Sequence, residues 1–220
     1  MNSVRDQAWL DYFHGGFTEG SHQLLSWGYQ DARGKIGSDD TEEAISKAIV
    51  RAIKTRQNAF DMPERFENFF VEVETHPMED DRSGINCPRI DIAVEGNHIK
   101  PRPHFVFEAK RLKKGSHSIG GYVGKDGLGC FLCCQYAENY PSAAMIGYMQ
   151  DENSFSHWKK ELNKTFKNVS KFNVKKHLED YSASPNSFPY ERVSCHGRTK
   201  NGQVHSDIRI HHIFLECHTI

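Results

Sequence analysis

Two short runs of alternating apolar and polar residues, separated by turn chemistry, constrain this chain most. In Pro88-Arg89-Ile90-Asp91-Ile92-Ala93-Val94 the large apolar residues Ile90, Ile92 and Val94 alternate with Asp91 and Ala93, the period of a half-buried strand. In His104-Phe105-Val106-Phe107-Glu108-Ala109-Lys110 the residues Phe105, Phe107 and Ala109 share one face, and Val106, Glu108 and Lys110 the other. Glu95-Gly96-Asn97-His98 and Pro101-Arg102-Pro103, between the runs, suit a reversal and disfavour a continued central strand. An antiparallel hairpin follows. If Phe105 and Phe107 pack beside Ile90 and Ile92, Asp91 meets Glu108 and Lys110 on the opposite face.

Two carboxylates held together repel, so such a face is stable only if one is protonated or a cation lies between them. Carboxylate oxygens are hard ligands suited to Mg²⁺ or Mn²⁺. An ion held there would polarise a phosphate and acidify a bound water, and a neighbouring lysine would orient that water or neutralise developing charge. The competing reading is an edge hairpin whose charged face merely discourages aggregation. What surrounds the hairpin decides between them.

Ser38-Asp39-Asp40-Thr41-Glu42 is dense in N-cap residues and precedes Ile45, Ala48, Ile49, Ala52 and Ile53 at helical spacing, which predicts a helix over about 40–58. Glu42 falls near the edge of its apolar face and Glu43 on the far side; Glu42 also fits a capping box with Asp39. Phe69-Phe70-Val71-Glu72-Val73-Glu74 reads as a first strand and Ile90 to Val94 as a second. After a glycine-rich loop at 115–129 containing Tyr122, Lys125 and Asp126, the run Cys130 to Ala137 fits a mostly buried helix ending before Pro141. Ala143 to Met149 is a continuous apolar run, as expected of a central strand covered on both faces. The order is helix, three strands, helix, strand.

With Asp91 and Glu108-Ala109-Lys110 placed on its second and third strands, this order resembles the PD-(D/E)xK nuclease superfamily over roughly residues 38–150. One departure is that the proline before the Asp is Pro88, three residues away. The resemblance implies a restriction-endonuclease-like αβββαβ core of the α/β class, a mixed central sheet flanked by helices, here with an extra C-terminal helix and β-hairpin. It implies that Asp91, Glu108 and the Ala109 carbonyl bind Mg²⁺ or Mn²⁺, that Lys110 assists the attacking water, and that Glu42 is the helix-borne acid many members carry. DNA is the implied substrate, with RNA the alternative, in defence against foreign DNA or in repair. A catalytically silent module that binds nucleic acid or a protein partner is the rival from another class.

Further along, Trp158, Leu162, Phe166, Val169 and Phe172 form an apolar stripe, and Lys160, Lys164, Lys167, Lys171 and Lys175 an opposite one, over a predicted helix at about 155–178. Such a ridge suits a nucleic-acid backbone or simply a solvated face. Arg111, Lys113 and Lys114 lie just beyond the expected metal and are phosphate-contact candidates for the same reason. At the C-terminus, Tyr190 to Arg198 and Ser206 to Glu216 flank Asn201-Gly202, a strong hairpin signal. His196 and Arg198 are candidates for phosphate contacts, with a structural hydrogen-bonded pair as the alternative, and His211 and His212 are expected near them. Cys130-x-x-Cys133 has half of a zinc-site spacing; interleaved with Phe131 and Leu132, these cysteines read instead as small core residues.

A chain of 220 residues with 37% hydrophobic residues can build one sizeable domain. We read residues 1–37 as a helical and loop extension, 38–150 as the core and 151–220 as the C-terminal helix and hairpin. A net charge of −1 means that nucleic-acid affinity must come from local patches. No apolar run is long enough to span a membrane, no secretory signal is evident, and a reducing cytoplasm is the expected home. The compact chain makes a homo-oligomer or a partner protein an expectation as well.

Overall fold

The computed structural model describes residues 4–75, 89–168, 170–180 and 188–218. Pro88 and Val169, named above, lie outside them, as does the side chain of Lys171. The chain begins with α1 (Val4–Tyr12), a π-helical segment (Phe13–Phe17) and α2 (Thr18–Ala32), followed by α3 (Glu42–Gln57). Three strands follow, β1 (Phe69–Thr75), β2 (Ile90–Gly96) and β3 (His104–Leu112), then short helices α4 (Ile119–Tyr122) and α5 (Leu128–Leu132) and strand β4 (Ser142–Met149). The last part comprises α6 (Phe155–Asn168), β5 (Val174–Asp180), β6 (Glu191–Lys200) and β7 (Gln203–Glu216).

All seven strands form one mixed sheet in the order β1-β2-β3-β4-β7-β6-β5. The first three are antiparallel neighbours, β3 and β4 are parallel, β4 and β7 are parallel, and β7, β6 and β5 are again antiparallel. Because side chains alternate across the sheet, each strand feeds two cores. Ile92, Val94, Phe105, Phe107, Ala144, Ile146 and Ile213 pack with Phe13, Phe17, Leu24, Ile45 and Ile49 from α1 to α3. Ala93, Val106, Ala143, Met145, Ile210 and Phe214 pack with Tyr122, Leu128, Trp158, Leu162 and Phe166 on the other side. The result is a three-layer α/β arrangement. Every residue of β4 is buried, as its apolar run predicts.

Close packing explains one glycine. A Cβ on Gly20 of α2 would lie 2.6 Å from the Phe69 ring, so only glycine lets this helix approach β1. The β6–β7 turn forms at Asn201 and Gly202 with φ of 50° and 79°, the two left-handed positions that a tight hairpin requires.

Four expectations are corrected. Phe107 and Phe105 lie opposite Ile92 and Val94, two residues along from the predicted Ile90 and Ile92, and Ile90 packs in the opposite core. The Cys130 to Ala137 run is not a helix throughout: α5 stops at Leu132, and Cys134 and Ala137 adopt φ of 59° and 51°. The Gln135 and Tyr136 amides both turn back to the Cys130 carbonyl (2.8 and 3.1 Å), leaving Cys133 exposed. The helix predicted to 178 ends at Asn168, because Asn173 takes φ of 42° and its carbonyl accepts the Gly197 amide at 2.9 Å, which docks the next residues as β5. Lys175 and Lys176 therefore sit on an edge strand. Finally, Thr41 caps α3, its hydroxyl accepting the Ala44 amide at 3.2 Å, and Asp39 pairs instead with Lys113 at 3.0 Å.

Candidate active site

The site forms where β2 and β3 part. Their backbone ladder runs from Glu95 opposite His104 to Ile92 opposite Phe107. One residue further on, the Asp91 carboxylate takes the place of a backbone acceptor: its Oδ2 accepts the Ala109 amide at 2.8 Å. The sequence requires this, since the Ile92 and Val94 side chains are committed to the α2–α3 core and period-2 geometry turns Asp91 to the opposite face. Both strands are internal to the sheet, and Glu108 is 3% exposed. The reading of a solvated edge hairpin is thereby excluded.

Lys110 is the hub. Its Nζ donates to Glu108 Oε1 at 2.6 Å, to the Ala109 carbonyl at 2.7 Å and to Glu42 Oε1 at 3.1 Å. Glu42, the first residue of α3, also accepts the Arg111 amide through Oε2 at 3.0 Å. Freed from capping by Thr41, it ties the helix N-terminus to the end of β3. All four catalytic candidates, Asp91, Glu108, Lys110 and Glu42, thus meet at one place, with three carboxylates facing one ammonium.

The electrostatics follow from burial and crowding. Burial raises the Asp91 carboxyl to about 6, with the Lys110 charge and the Ala109 amide opposing. Glu108 is pushed well above the ordinary carboxylate range, first by burial and then by the Asp91 charge. Burial works against the Lys110 charge, but Glu108, Glu42 and Asp91 outweigh it and its pKa rises. Glu108 Oε2 is buried without a hydrogen-bond partner.

Do these residues fit a divalent cation? The Ala109 carbonyl, Glu108 and Glu42 already converge on one positive group. Once all three carboxylates are ionised, as a cation would require, one ammonium leaves two negative charges to be met, the charge of one Mg²⁺ or Mn²⁺, and all the donors are hard oxygens. The donor types suit such an ion, and the Asp91, Glu108 and Glu42 oxygens lie further apart than those of the one His/Glu set among the described residues whose ligand atoms fall within 4.8 Å of one another.

The remaining candidates divide sharply. Arg111 and Lys113 are half-buried at the end of β3 and Lys114 is exposed. On α6, Trp158, Leu162 and Phe166 are buried, whereas Lys160, Lys164 and Lys167 are exposed. With Ser156, Lys159 and Asn163 they share the outward face of this one helix.

His196 and Arg198 are not surface groups and cannot meet a phosphate. Arg198, 1% exposed, donates to the Ser206 carbonyl (2.7 Å), Ser206 Oγ (2.8 Å) and the Ala137 carbonyl (2.8 Å). His196 belongs to a buried chain that starts at the Phe172 carbonyl, 2.7 Å from His196 Nδ1. It continues through Ser194 Oγ, 2.7 Å from both His196 Nε2 and His212 Nε2, to Tyr122 OH, 3.0 Å from His212 Nδ1. Burial lowers the pKa of both histidines. With both neutral, His196 Nδ1–H donates to Phe172, Ser194 donates to His196, His212 Nε2–H donates to Ser194, and the Tyr122 O–H is shared between His212 Nδ1 (3.0 Å) and the Met145 carbonyl (3.2 Å). Every ring nitrogen is satisfied, which makes this a structural network. His211 does not join it, because adjacent residues of β7 point to opposite faces.

Sequence reasoning missed what His211 does meet. Its Nδ1 lies 2.9 Å from Glu191 Oε1, which is 3.2 Å from His22 Nε2 on α2. Among the described residues, this is the one set of three His, Cys, Asp or Glu donors whose ligand atoms all lie within 4.8 Å of one another. No cysteine belongs to it, and the five described cysteines are free thiols. A glutamate opening a strand otherwise destined for the core was the available signal; the partnership with His22 had none.

Comparison with protein-family models, curated proteins and solved structures finds no match. The geometry above therefore carries the functional reading. No helix among the described residues is long and apolar enough to cross a membrane.

Proposed function

We propose that this chain is a Mg²⁺- or Mn²⁺-dependent nuclease of the restriction-endonuclease-like type, hydrolysing phosphodiester bonds of DNA. One observation carries the proposal: at the parting of two internal strands, Asp91, Glu108, Glu42 and the Ala109 carbonyl gather around Lys110. A catalytically idle surface has no physical use for a buried Glu108 beside half-buried Asp91 and Glu42 whose charges are only partly compensated. The order α3, β1, β2, β3, α4–α5, β4 around the site supports the same reading.

Asp91 and Glu108, with the Ala109 carbonyl, would hold the ion; when bound it supplies Lewis acidity at the scissile phosphate and a more acidic water. The Ala109 amide fixes the Asp91 carboxylate, so its orientation costs little when a cation arrives. Glu42 holds Lys110 from the helix side and sets where its ammonium rests. Lys110, on exchanging its bond to Glu108 for substrate, places a positive charge where the attacking water and the phosphate oxygens meet. Arg111, Lys113 and Lys114 continue the basic surface beyond it, and the α6 lysines offer a second track for the backbone.

Cleavage of supercoiled plasmid and of single-stranded DNA and RNA, with Mg²⁺ or Mn²⁺, tests this in wild type, Asp91→Ala and Lys110→Ala at equal folded concentration. Metal-dependent cutting of DNA lost in both variants is expected. Cutting that persists in EDTA or in both variants would overturn the reading, and salt-sensitive DNA binding without cutting would favour the silent binding module.

A further inference from the structure

We propose that His22, Glu191 and His211 form a structural Zn²⁺ site that clamps α2 to the β6–β7 hairpin, separate from the carboxylate site on β2 and β3. The three side chains come from three elements and are buried to 1% exposure or less. Their donor atoms lie within 4.8 Å of one another.

His22 is oriented as a ligand would be. Its Nδ1 lies 2.7 Å from the Thr18 carbonyl and must donate to it, which aims Nε2 at Glu191. Metal-binding histidines are fixed this way, by a hydrogen bond from the ring nitrogen that does not coordinate. Yet Nε2 finds no hydrogen-bond partner of good geometry, and neither does Glu191 Oε2, although both are buried.

Either a proton on His22 or a divalent ion can bring positive charge to this place. The distances favour the ion. A protonated imidazole bonded to a carboxylate closes to about 2.7–2.9 Å, whereas His22 Nε2 stays 3.2 Å from Glu191 Oε1. Bonds of about 2.0 Å in a tetrahedral zinc shell set donors roughly 3.3 Å apart, close to the 3.2 Å between His22 Nε2 and Glu191 Oε1; His211 Nδ1, at hydrogen-bonding distance (2.9 Å) from the same oxygen, would turn from donor to ligand. A proton also serves one pair of atoms and leaves Oε2 orphaned; an ion meets both histidines and has room for both carboxylate oxygens. Two imidazoles and one carboxylate suit borderline-soft Zn²⁺ better than Mg²⁺. With no exposed donor, the ion would enter as the chain folds and its binding free energy would add to stability.

The test is metal analysis of the full chain purified from zinc-containing medium, followed by refolding with Co²⁺. One equivalent of zinc is expected in wild type and in Asp91→Ala, and none in Glu191→Gln or in His22→Gln; the cobalt form shows the visible absorption bands of a tetrahedral site. Zinc retained by Glu191→Gln, or folded wild type without zinc that gives no such bands, overturns the proposal. Should the variants fail to fold, wild type decides alone: prolonged chelation must lower its unfolding temperature and Zn²⁺ must restore it, and an unchanged temperature refutes the site. Neither outcome depends on cleavage, so this site and the nuclease reading stand or fall separately.

Discussion

Replacing Asp91 with asparagine should stabilise the protein, an unusual result for a half-buried, hydrogen-bonded carboxylate. Its carboxyl is raised from 3.8 to about 6 by burial. A raised acid binds its proton more tightly folded than unfolded, so stability falls as pH climbs from about 4 to about 6 and stays lower above that. At about 1.4 kcal/mol per pH unit the full effect is roughly 3 kcal/mol. Relaxation and partial solvation reduce this to about 1–3 kcal/mol. Asparagine keeps an oxygen for the Ala109 amide and removes the charge. Thermal unfolding of wild type and Asp91→Asn, measured from pH 4 to 8 without divalent ions, should show equal stability at pH 4. The variant should melt higher above pH 6, by about 2–4 °C per kcal/mol for a chain of this size. Millimolar Mg²⁺ should narrow the gap by stabilising wild type alone. A variant less stable than wild type at pH 8, or a difference independent of pH, would refute the claim that Asp91 is held charged against its environment.

Other outcomes follow from the same geometry. Arg198→Met strands the carbonyls of Ser206 and Ala137 and should cost about 2–4 kcal/mol in urea unfolding, while the DNA affinity of the folded fraction stays unchanged; a loss of affinity without a loss of stability would restore Arg198 as a phosphate contact. Gly20→Ala drives a methyl into the Phe69 ring at 2.6 Å and should destabilise by about 1–3 kcal/mol despite better helix propensity. Changing Lys160, Lys164 and Lys167 together to glutamine should flatten the salt dependence of DNA binding, by up to about 0.9 in slope for each phosphate no longer neutralised; an unchanged slope would make that face merely solvated.

Local chemistry was what the sequence displayed openly. The β2 and β3 alternation placed Asp91, Glu108 and Lys110 on one face, Asn201-Gly202 marked the last hairpin, and the unbroken apolar run of β4 announced a strand covered on both sides. Glu42 was legible because helical phase alone separates it from Glu43. What failed depended on partners distant in sequence. The period of the lysine stripe continued past Asn168, but docking of β5 on β6 overrode it. Cys130 to Ala137 matched a buried helix by composition, yet two residues took the left-handed conformation. His196 and Arg198 resembled phosphate contacts because their charge was visible and their burial was not. His22 offered no sign of Glu191, 169 positions away, since nothing local distinguishes a histidine committed to a core partner.

The central claim, that the parting of β2 and β3 is a divalent-cation site, is tested most directly by Mn²⁺ binding followed by electron paramagnetic resonance. Wild type should bind Mn²⁺ in competition with Mg²⁺, Asp91→Ala and Glu108→Gln should lose that binding while remaining folded, and Glu191→Gln should keep it if folded. Folded wild type that binds no Mn²⁺, or an Asp91→Ala variant that binds it unchanged, would contradict the account.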